Sequence, residues 1–141
     1  MFLLLFSLIS FQSIIKVKPN LNAFNTHFSF GFEKGGNYSV KIKDCKFDEL
    51  LFVIAPEEEM NKCDKTKMIN DSCYLQFKNS QHLKIINESA ELSGNINKKG
   101  IYMTRIIHPY SSKNVYNINF KYQNPNSYSS YNYVEYIPFN R

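Results

Sequence analysis

Histidines, clustered carboxylates and cysteines are the residues of this chain whose types could carry chemistry. The three histidines, His27, His82 and His108, are far apart in the chain and lie in different local settings. Catalysis needs a base, a nucleophile and an orienting group within hydrogen-bond reach. The sequence contains no Gly-x-Ser-x-Gly, His-Glu-x-x-His or phosphate-binding glycine motif. We therefore predict no catalytic residue and a chain that is not an enzyme; a small secreted hydrolase with an unfamiliar site is the alternative.

Three consecutive glutamates at residues 57–59 form a carboxylate cluster of the kind that could hold calcium. A calcium loop places oxygen ligands at alternating positions around a turn glycine, and this segment lacks that pattern. We predict a solvated segment here, with no bound metal and no cofactor.

Three cysteines, Cys45, Cys63 and Cys73, leave one thiol over if two of them pair. Cys63 and Cys73 flank a polar, charged loop and could close a small ring, so we favour that disulfide. Pairings through Cys45 stay open. The remaining thiol is either buried or joined to a partner or to a membrane portion absent from this chain. No Cys-x-x-Cys pair exists and no histidine lies at ligand spacing, so we predict no zinc site.

The compartment follows from residues 1–13, a short apolar run followed by polar residues. A transmembrane helix needs about 20 apolar residues, whereas a signal-peptide core needs about 7–15. Ser10 and Ser13 offer small residues for cleavage. We predict a signal peptide over residues 1–13 and a mature chain in the lumen of the secretory pathway; a buried first strand or helix of a cytosolic domain is the alternative.

Three glycosylation sequons become meaningful in that compartment, at Asn37, Asn70 and Asn87. Asn37 follows two glycines in a predicted turn, so we predict that it is the most accessible of the three. The net charge of +5 comes with lysines scattered along the chain. We read them as a solvated basic surface that could meet anionic glycans or headgroups, and we predict no binding of nucleic acid.

Strand patterns fill most of the remaining sequence, which is long enough for one domain. Residues 28–32 alternate aromatic and small residues, and residues 38–43 place Tyr38, Val40 and Ile42 on one face. A glycine turn at residues 33–37 separates them, so we predict that these two strands pair as an antiparallel hairpin.

Later segments continue the β pattern. Residues 50–55 form an apolar run typical of a strand buried on both faces, and residues 56–71 are either a short helix or an exposed excursion. We predict further strands at residues 73–77, 83–86, 101–107 and 114–122, with turns at residues 93–95 and 98–100. The last strand directs Tyr116, Ile118, Phe120 and Tyr122 to one face. Short strands at this spacing predict an all-β, antiparallel sandwich.

Residues 123–141 are rich in Asn, Ser and Tyr and predict an extended connector. Its tyrosines, among them Tyr128, Tyr131 and Tyr133, could form a surface that recognises sugar or protein, because aromatic rings stack at little entropic cost. The alternative is low-complexity sequence with some rings packed against the sandwich.

Several short motifs follow one another along the chain, and their order and spacing are informative. They are the aromatic strand into Phe30-Gly31-Phe32, the Gly35-Gly36 turn, the apolar strand at residues 50–54, a Cys-containing loop, Ser93-Gly94, Gly100-Ile101-Tyr102, the strand over residues 115–122, Asn124-Pro125-Asn126, the Tyr-Ser-Ser at residues 128–130 and Ile137-Pro138-Phe139. This series, spanning residues 28–139, resembles the luminal N-terminal domain of the GOST proteins, also called the lung seven-transmembrane or intimal-thickness-receptor-related family.

The resemblance implies a GOLD-like β-sandwich over residues 23–122 and a connector over residues 123–141 that precedes a first transmembrane helix. It implies a glycoprotein domain facing the lumen of the Golgi or the outside of the cell, with an unknown luminal protein or glycan as its ligand. Membrane association would come only through a region absent from this chain. The expected function is non-enzymatic recognition; the alternative is a secreted carbohydrate-binding β-sandwich that uses exposed tyrosines.

Overall fold

The computed structural model describes residues 10–17, 24–64, 71–108, 114–125 and 132–138. This part of the chain contains nine β-strands and two short α-helices, in the following order: β1 (Ser10–Val17), β2 (Phe24–Phe32), β3 (Asn37–Lys43), β4 (Glu49–Pro56), α1 (Glu57–Asp64), α2 (Asp71–Leu75), β5 (Asn79–Lys84), β6 (Ala90–Asn95), β7 (Gly100–Ile107), β8 (Tyr116–Gln123) and β9 (Asn132–Pro138). The protein is therefore mostly β, as the sequence predicts.

The strands form two antiparallel sheets. Sheet A has the order β1-β8-β3-β6, and sheet B has the order β5-β4-β7-β2-β9. Successive strands alternate between the sheets, and of the described strands only β4 and β5 are consecutive and share a sheet. The first eight strands thus follow the order of a jelly roll, in which two Greek keys interleave.

The core lies between the sheets and follows the period-two alternation of the strands. The inward residues of β3 and β8 are those that the sequence predicts, and all of them are buried: Tyr38, Val40, Ile42, Tyr116, Ile118, Phe120 and Tyr122. Sheet B contributes the facing residues Phe30, Phe32, Leu50, Phe52, Ile54, Tyr102 and Ile106. The predicted antiparallel sandwich, two sheets packed around one core, is therefore confirmed.

The outer side of sheet B carries a second, smaller core beneath the helices. Leu51, Val53 and Ala55 of β4 pack there against Met60 of α1 and Tyr74 of α2. The six residues from Leu50 to Ala55 are consequently all buried, which confirms a strand buried on both faces. A disulfide joins the two helices.

That disulfide links Cys63 and Cys73, whose Cα atoms are 5.7 Å apart, and it is the pairing that we favour from the sequence. Cys45 remains a free, buried thiol. Burial raises the pKa of the Cys45 thiol, because the thiolate would lose its hydration. The disulfide links the two helices that pack on the outer side of sheet B.

The predicted hairpin between residues 28–32 and 38–43 is wrong. β2 lies in sheet B and β3 in sheet A, so the turn between them crosses from one sheet to the other. Gly35 has a φ of 89°, as the glycine turn predicts. The side chain of Asn124 holds the crossing, since it accepts a hydrogen bond from the Glu33 amide at 2.7 Å and donates one to the Gly31 carbonyl at 2.9 Å.

Two further local predictions are wrong. Residues 73–75 belong to α2 and not to a strand. The predicted turn at residues 93–95 lies inside β6, where Gly94 pairs with Tyr38. The Tyr38 ring lies over Gly94 so closely that an added Cβ would overlap the phenol oxygen. The contact with the Tyr38 ring thus requires a glycine at position 94, and no turn is involved.

The strands extend past the predicted sandwich of residues 23–122 at both ends. β1 pairs with β8 and shares residues 10–13 with the predicted signal peptide, whereas residues 14–17 follow the predicted cleavage point. β9 lies within the predicted connector, residues 123–141, and pairs with β2. Alternation in so Asn- and Tyr-rich a segment is hard to recognise, which explains why the sequence indicates an irregular connector there.

A buried hydrogen bond crosses between the sheets at Tyr122 and Thr104, whose hydroxyl oxygens are 2.5 Å apart. Burial raises the pKa of Tyr122, because the phenolate would be stripped of water. Phe30 and Phe32 lie against the same ring, with centroid distances of 5.6 and 5.3 Å.

We predict that Tyr122→Phe and Thr104→Val each lower the free energy of unfolding by about 1–3 kcal/mol, because each leaves one buried hydroxyl without its partner. The double variant should cost less than the sum of the two single variants by about 1 kcal/mol. Urea unfolding followed by fluorescence measures all four proteins. Simple additivity of the two single effects would contradict the inter-sheet hydrogen bond.

The disulfide is tested by counting thiols in the denatured chain. We expect one titratable thiol, that of Cys45, before reduction and three after reduction. Replacing Cys63 and Cys73 by alanine together should lower the free energy of unfolding by about 2–3 kcal/mol, the loop-closure contribution for a ring of this size. Three thiols before reduction would show that the pairing does not form.

Candidate binding face on sheet A

The outer side of sheet A is polar and exposed, unlike the outer side of sheet B. Alternation turns every second residue of its strands away from the core. We call this surface the sheet A face; its described residues are Ile14, Lys16, Asn37, Ser39, Lys41, Lys43, Glu91, Ser93, Asn95, Asn117, Asn119, Lys121 and Gln123.

Two adjoining hollows form a groove along this face. The larger has a volume of about 320 Å³ and is lined by Asn37, Ser39, Lys41, Asn119, Lys121 and Gln123. The smaller, of about 200 Å³, is lined by Ile14, Lys41, Lys43, Asn117, Ile118 and Asn119. Both hollows share Lys41 and Asn119, which are opposite each other in the register of β3 and β8. These two residues therefore mark the centre of the groove.

The register fixes the spacing of the lysines. Lys121 stands diagonally across from Lys41, a separation of about 7–8 Å between strand positions. Lys43 follows Lys41 two residues along β3, about 7 Å away. Lys16 of β1 is opposite Asn117, which is opposite Lys43 on its other side. The four lysines thus occupy regularly spaced positions on three neighbouring strands.

Few carboxylates accompany these amines. On the described part of the face, Glu91 is opposite Lys41, and Asp44 at the end of β3 accepts a hydrogen bond from the Asn117 amide at 3.0 Å. No ion pair within 4.0 Å involves Lys16, Lys41, Lys43 or Lys121 among the described residues. The face therefore carries an excess of positive charge that the described chain does not neutralise.

Asn119 is half-buried at the centre of the groove. Its Oδ1 is buried and has no hydrogen-bond partner among the described residues. Because the protein covers that oxygen, it is not an acceptor that a bound molecule can reach. The groups of the face that can contact a ligand are its lysine amines and the amides and hydroxyl of Asn37, Ser39, Asn117 and Gln123.

The histidines lie in three separate settings. His82 on β5 is exposed, with Nδ1 3.1 Å from Oε1 of Glu49 on the neighbouring strand. His108 follows β7 and is buried, stacked on Phe47 with a centroid distance of 5.8 Å. His27 lies on β2, opposite Arg105 of β7 in the register. None of the three borders the sheet A face.

The glutamates at residues 57–59 form the first turn of α1, where the helix N-terminus favours negative charge. Glu57 accepts a hydrogen bond from the buried Ser29 hydroxyl at 3.0 Å, and Glu59 lies 3.5 Å from Lys62. Among the described residues, no group of three or more His, Cys, Asp or Glu side chains is placed to hold a metal ion. The cluster is therefore explained as a helix start.

The sequons differ in exposure, and the predicted order is wrong. Asn37 begins β3 between Asn95 and Gln123, and its side chain is half-buried in the groove. Asn87 is exposed in a tight turn with a φ of 53°, closed by hydrogen bonds between Ile86 and Ser89. Asn70 lies outside the described residues. Asn87 is consequently more accessible than Asn37.

Of the predicted recognition tyrosines, Tyr133 is on β9, opposite Ser29 of β2 at the edge of sheet B. Tyr128 and Tyr131 lie outside the described residues. Sequence reasoning misses the sheet A face as a site because alternation identifies the outward residues of one strand but not its neighbours. The signal that could have found them is the repeated Lys/Asn alternation in residues 37–43 and 117–123.

No protein-family model matches the chain, and no curated protein matches it. Among the described residues, no helix has the length and apolar character needed to cross a membrane.

We predict that Asn87 carries an N-linked glycan when the full chain passes through a eukaryotic secretory pathway, and that Asn37 stays largely unmodified. The exposed turn presents Asn87, whereas neighbouring strands flank Asn37. Intact-mass analysis before and after glycosidase treatment measures occupancy, with Asn87→Gln and Asn37→Gln as matched variants. A glycan lost with Asn37→Gln and kept with Asn87→Gln would reverse this order of accessibility.

Proposed function

We propose that this chain is a non-enzymatic recognition module of the secretory pathway that binds its partner through the sheet A face. The observation that carries the proposal is the groove centred on Lys41 and Asn119, which lies open on sheet A while α1 and α2 pack over β4 and β7 on the outer side of sheet B. Its strands are anchored from behind by the buried core. Such a surface holds a partner by many weak polar contacts, which is typical of binding and not of bond cleavage.

The positions of the described histidines support the non-enzymatic part of the proposal. His82 is at the exposed edge strand β5, whereas His108 is buried at the end of β7. General acid–base catalysis places its base within hydrogen-bond reach of the reacting proton, and no described histidine borders the groove. The groove offers amines, amides and hydroxyls, which bind and orient but do not form an activated nucleophile with a base.

The GOLD-like identity of the sandwich, and a role as the luminal head of a seven-transmembrane secretory protein, belong to the same proposal. Their support is the motif order over residues 28–139, together with the two-sheet antiparallel sandwich that such a head requires. Asn124 belongs to one of these motifs, and its two side-chain hydrogen bonds stabilise the crossing from β2 to β3. Recognition through tyrosines of residues 128–133 stays the alternative prediction.

Reversing one charge in the groove tests the proposal. Lys121→Glu replaces an amine of the groove lining by a carboxylate. We expect the secreted full chain to bind saturably to the surface of intact cells of the kind that secretes it. The variant should bind at least about fivefold more weakly, because the carboxylate repels the groups that the amine attracts. Flow cytometry with labelled protein measures both.

Lys78→Glu is the matched control, since it makes the same change at an exposed lysine that directly precedes β5 of sheet B. The control should bind as wild type does. Ser39→Gln, which narrows the groove without a change of charge, guards against misfolding of the first variant and should also weaken binding. Equal binding by all four proteins would overturn the proposal.

A further inference from the structure

We infer that the sheet A face binds a polyanionic glycan, a polysaccharide whose sugars carry sulfate or carboxylate groups. The inference rests on the proposed function and names the ligand class of its groove. Four lysines, Lys16, Lys41, Lys43 and Lys121, lie on three neighbouring strands of the sheet A face. The described acidic groups beside them are two, Glu91 and Asp44. The unbalanced charge favours an anionic partner.

The regular spacing of the lysine positions favours a ligand with repeated charges. Lys121, Lys41 and Lys43 follow one another at steps of about 7–8 Å along and across β3 and β8. A single small anion could bridge two neighbouring lysines on their flexible stems but would leave the third unmatched. An extended chain with an anionic group on successive units would contact all three at once. The groove formed by the two adjoining hollows runs along the same residues.

The groups between the lysines favour sugar over other polyanions. Asn37, Ser39, Asn117 and Gln123 offer amides and a hydroxyl, which match the hydroxyl groups of a sugar as donors and acceptors. A bare sulfate only accepts hydrogen bonds, so it would match the donors of these side chains but not their amide oxygens. A sugar hydroxyl both donates and accepts, so it can match both.

The described part of the face lacks the features that other anionic partners need. It presents no aromatic side chain for stacking against nucleic-acid bases. It presents no arginine for bidentate contacts with phosphate. Ile14 is its one large exposed apolar residue, and membrane-surface binding draws on a larger buried apolar area. The lack of aromatic rings also separates this site from a neutral-sugar site, which would stack sugar rings on tyrosines.

Binding of defined oligosaccharides to the full secreted chain tests the inference. Isothermal titration calorimetry at about 0.15 M salt uses a heparin decasaccharide, a hyaluronan decasaccharide and neutral dextran of similar length. We expect heparin or hyaluronan to bind with a Kd below about 100 µM and dextran not to bind. The affinity should fall as salt is raised, because interactions between exposed charges are screened.

Paired variants locate the binding. Lys41→Gln with Lys121→Gln should raise the Kd at least about tenfold, because two charge-assisted contacts are lost. Lys34→Gln with Lys78→Gln removes the same charge from exposed lysines elsewhere and should change the Kd less than about twofold. Asn119→Asp keeps the shape of the amide and adds a negative charge, so it should also weaken binding at least about tenfold.

Equal losses from both lysine pairs would show that net charge alone attracts the polymer, which overturns a site on this face. Tighter binding of phosphatidylserine vesicles or of single-stranded DNA than of heparin would assign a different polyanion and overturn the inference as well. Absence of binding to both charged oligosaccharides overturns it directly. If groove-dependent binding to cells persists in that case, the recognition function stands and only its ligand class falls.

Discussion

The hydrogen bond between the Tyr122 and Thr104 hydroxyls joins the two sheets at the centre of an aromatic core, and the rest of the sandwich is arranged around it. Phe30, Phe32 and Tyr38 surround the Tyr122 ring with centroid distances of 5.3 to 6.1 Å. A phenol placed so deeply must keep its proton and its partner, since an unsatisfied buried hydroxyl is costly. Tyr38 meets the same demand at the edge of the core, where its hydroxyl accepts a hydrogen bond from Asn79 at 3.1 Å. Because Tyr38 and Tyr122 are opposite each other in the register, both bonds tie the β3–β8 pair to sheet B.

Fixing β8 beside β3 determines what their outward residues can do. Every inward aromatic or aliphatic residue in these strands alternates with a polar residue on the sheet A face, so the core sets the spacing of the lysines and amides as well. The outer side of sheet B differs from that of sheet A. There α1 and α2, joined by the Cys63–Cys73 disulfide, cover β4 with a second apolar core. One outer side is thus used for stability, and the other is open to solvent and available for binding.

The sequence predicts the faces of the strands well and their partners poorly. Tyr116, Ile118, Phe120 and Tyr122 are assignable to the core because alternation is a local property. Whether β3 pairs with β2 or with β8 cannot be assigned in this way, because pairing in a jelly roll is decided by contacts between residues distant in the chain. The crossing after β2 depends on Asn124, which is 91 residues after Glu33. Gly94 illustrates the same limit, because a glycine required by a distant tyrosine resembles a turn glycine in sequence.

The candidate face is hidden in the sequence for a related reason. Lys41 and Lys121 are far apart in the chain and look like unrelated surface lysines, yet the register places them on a diagonal of one groove. The same register places the sequon of Asn37 at one end of that groove, opposite Gln123. A glycan on Asn37 would fill the space that an external polysaccharide needs. Binding on this face therefore requires that Asn37 remain unmodified while Asn87, in its exposed turn, is free to carry a glycan. The exposure of the two asparagines agrees with that requirement, since Asn37 is half-buried between strands and Asn87 is not.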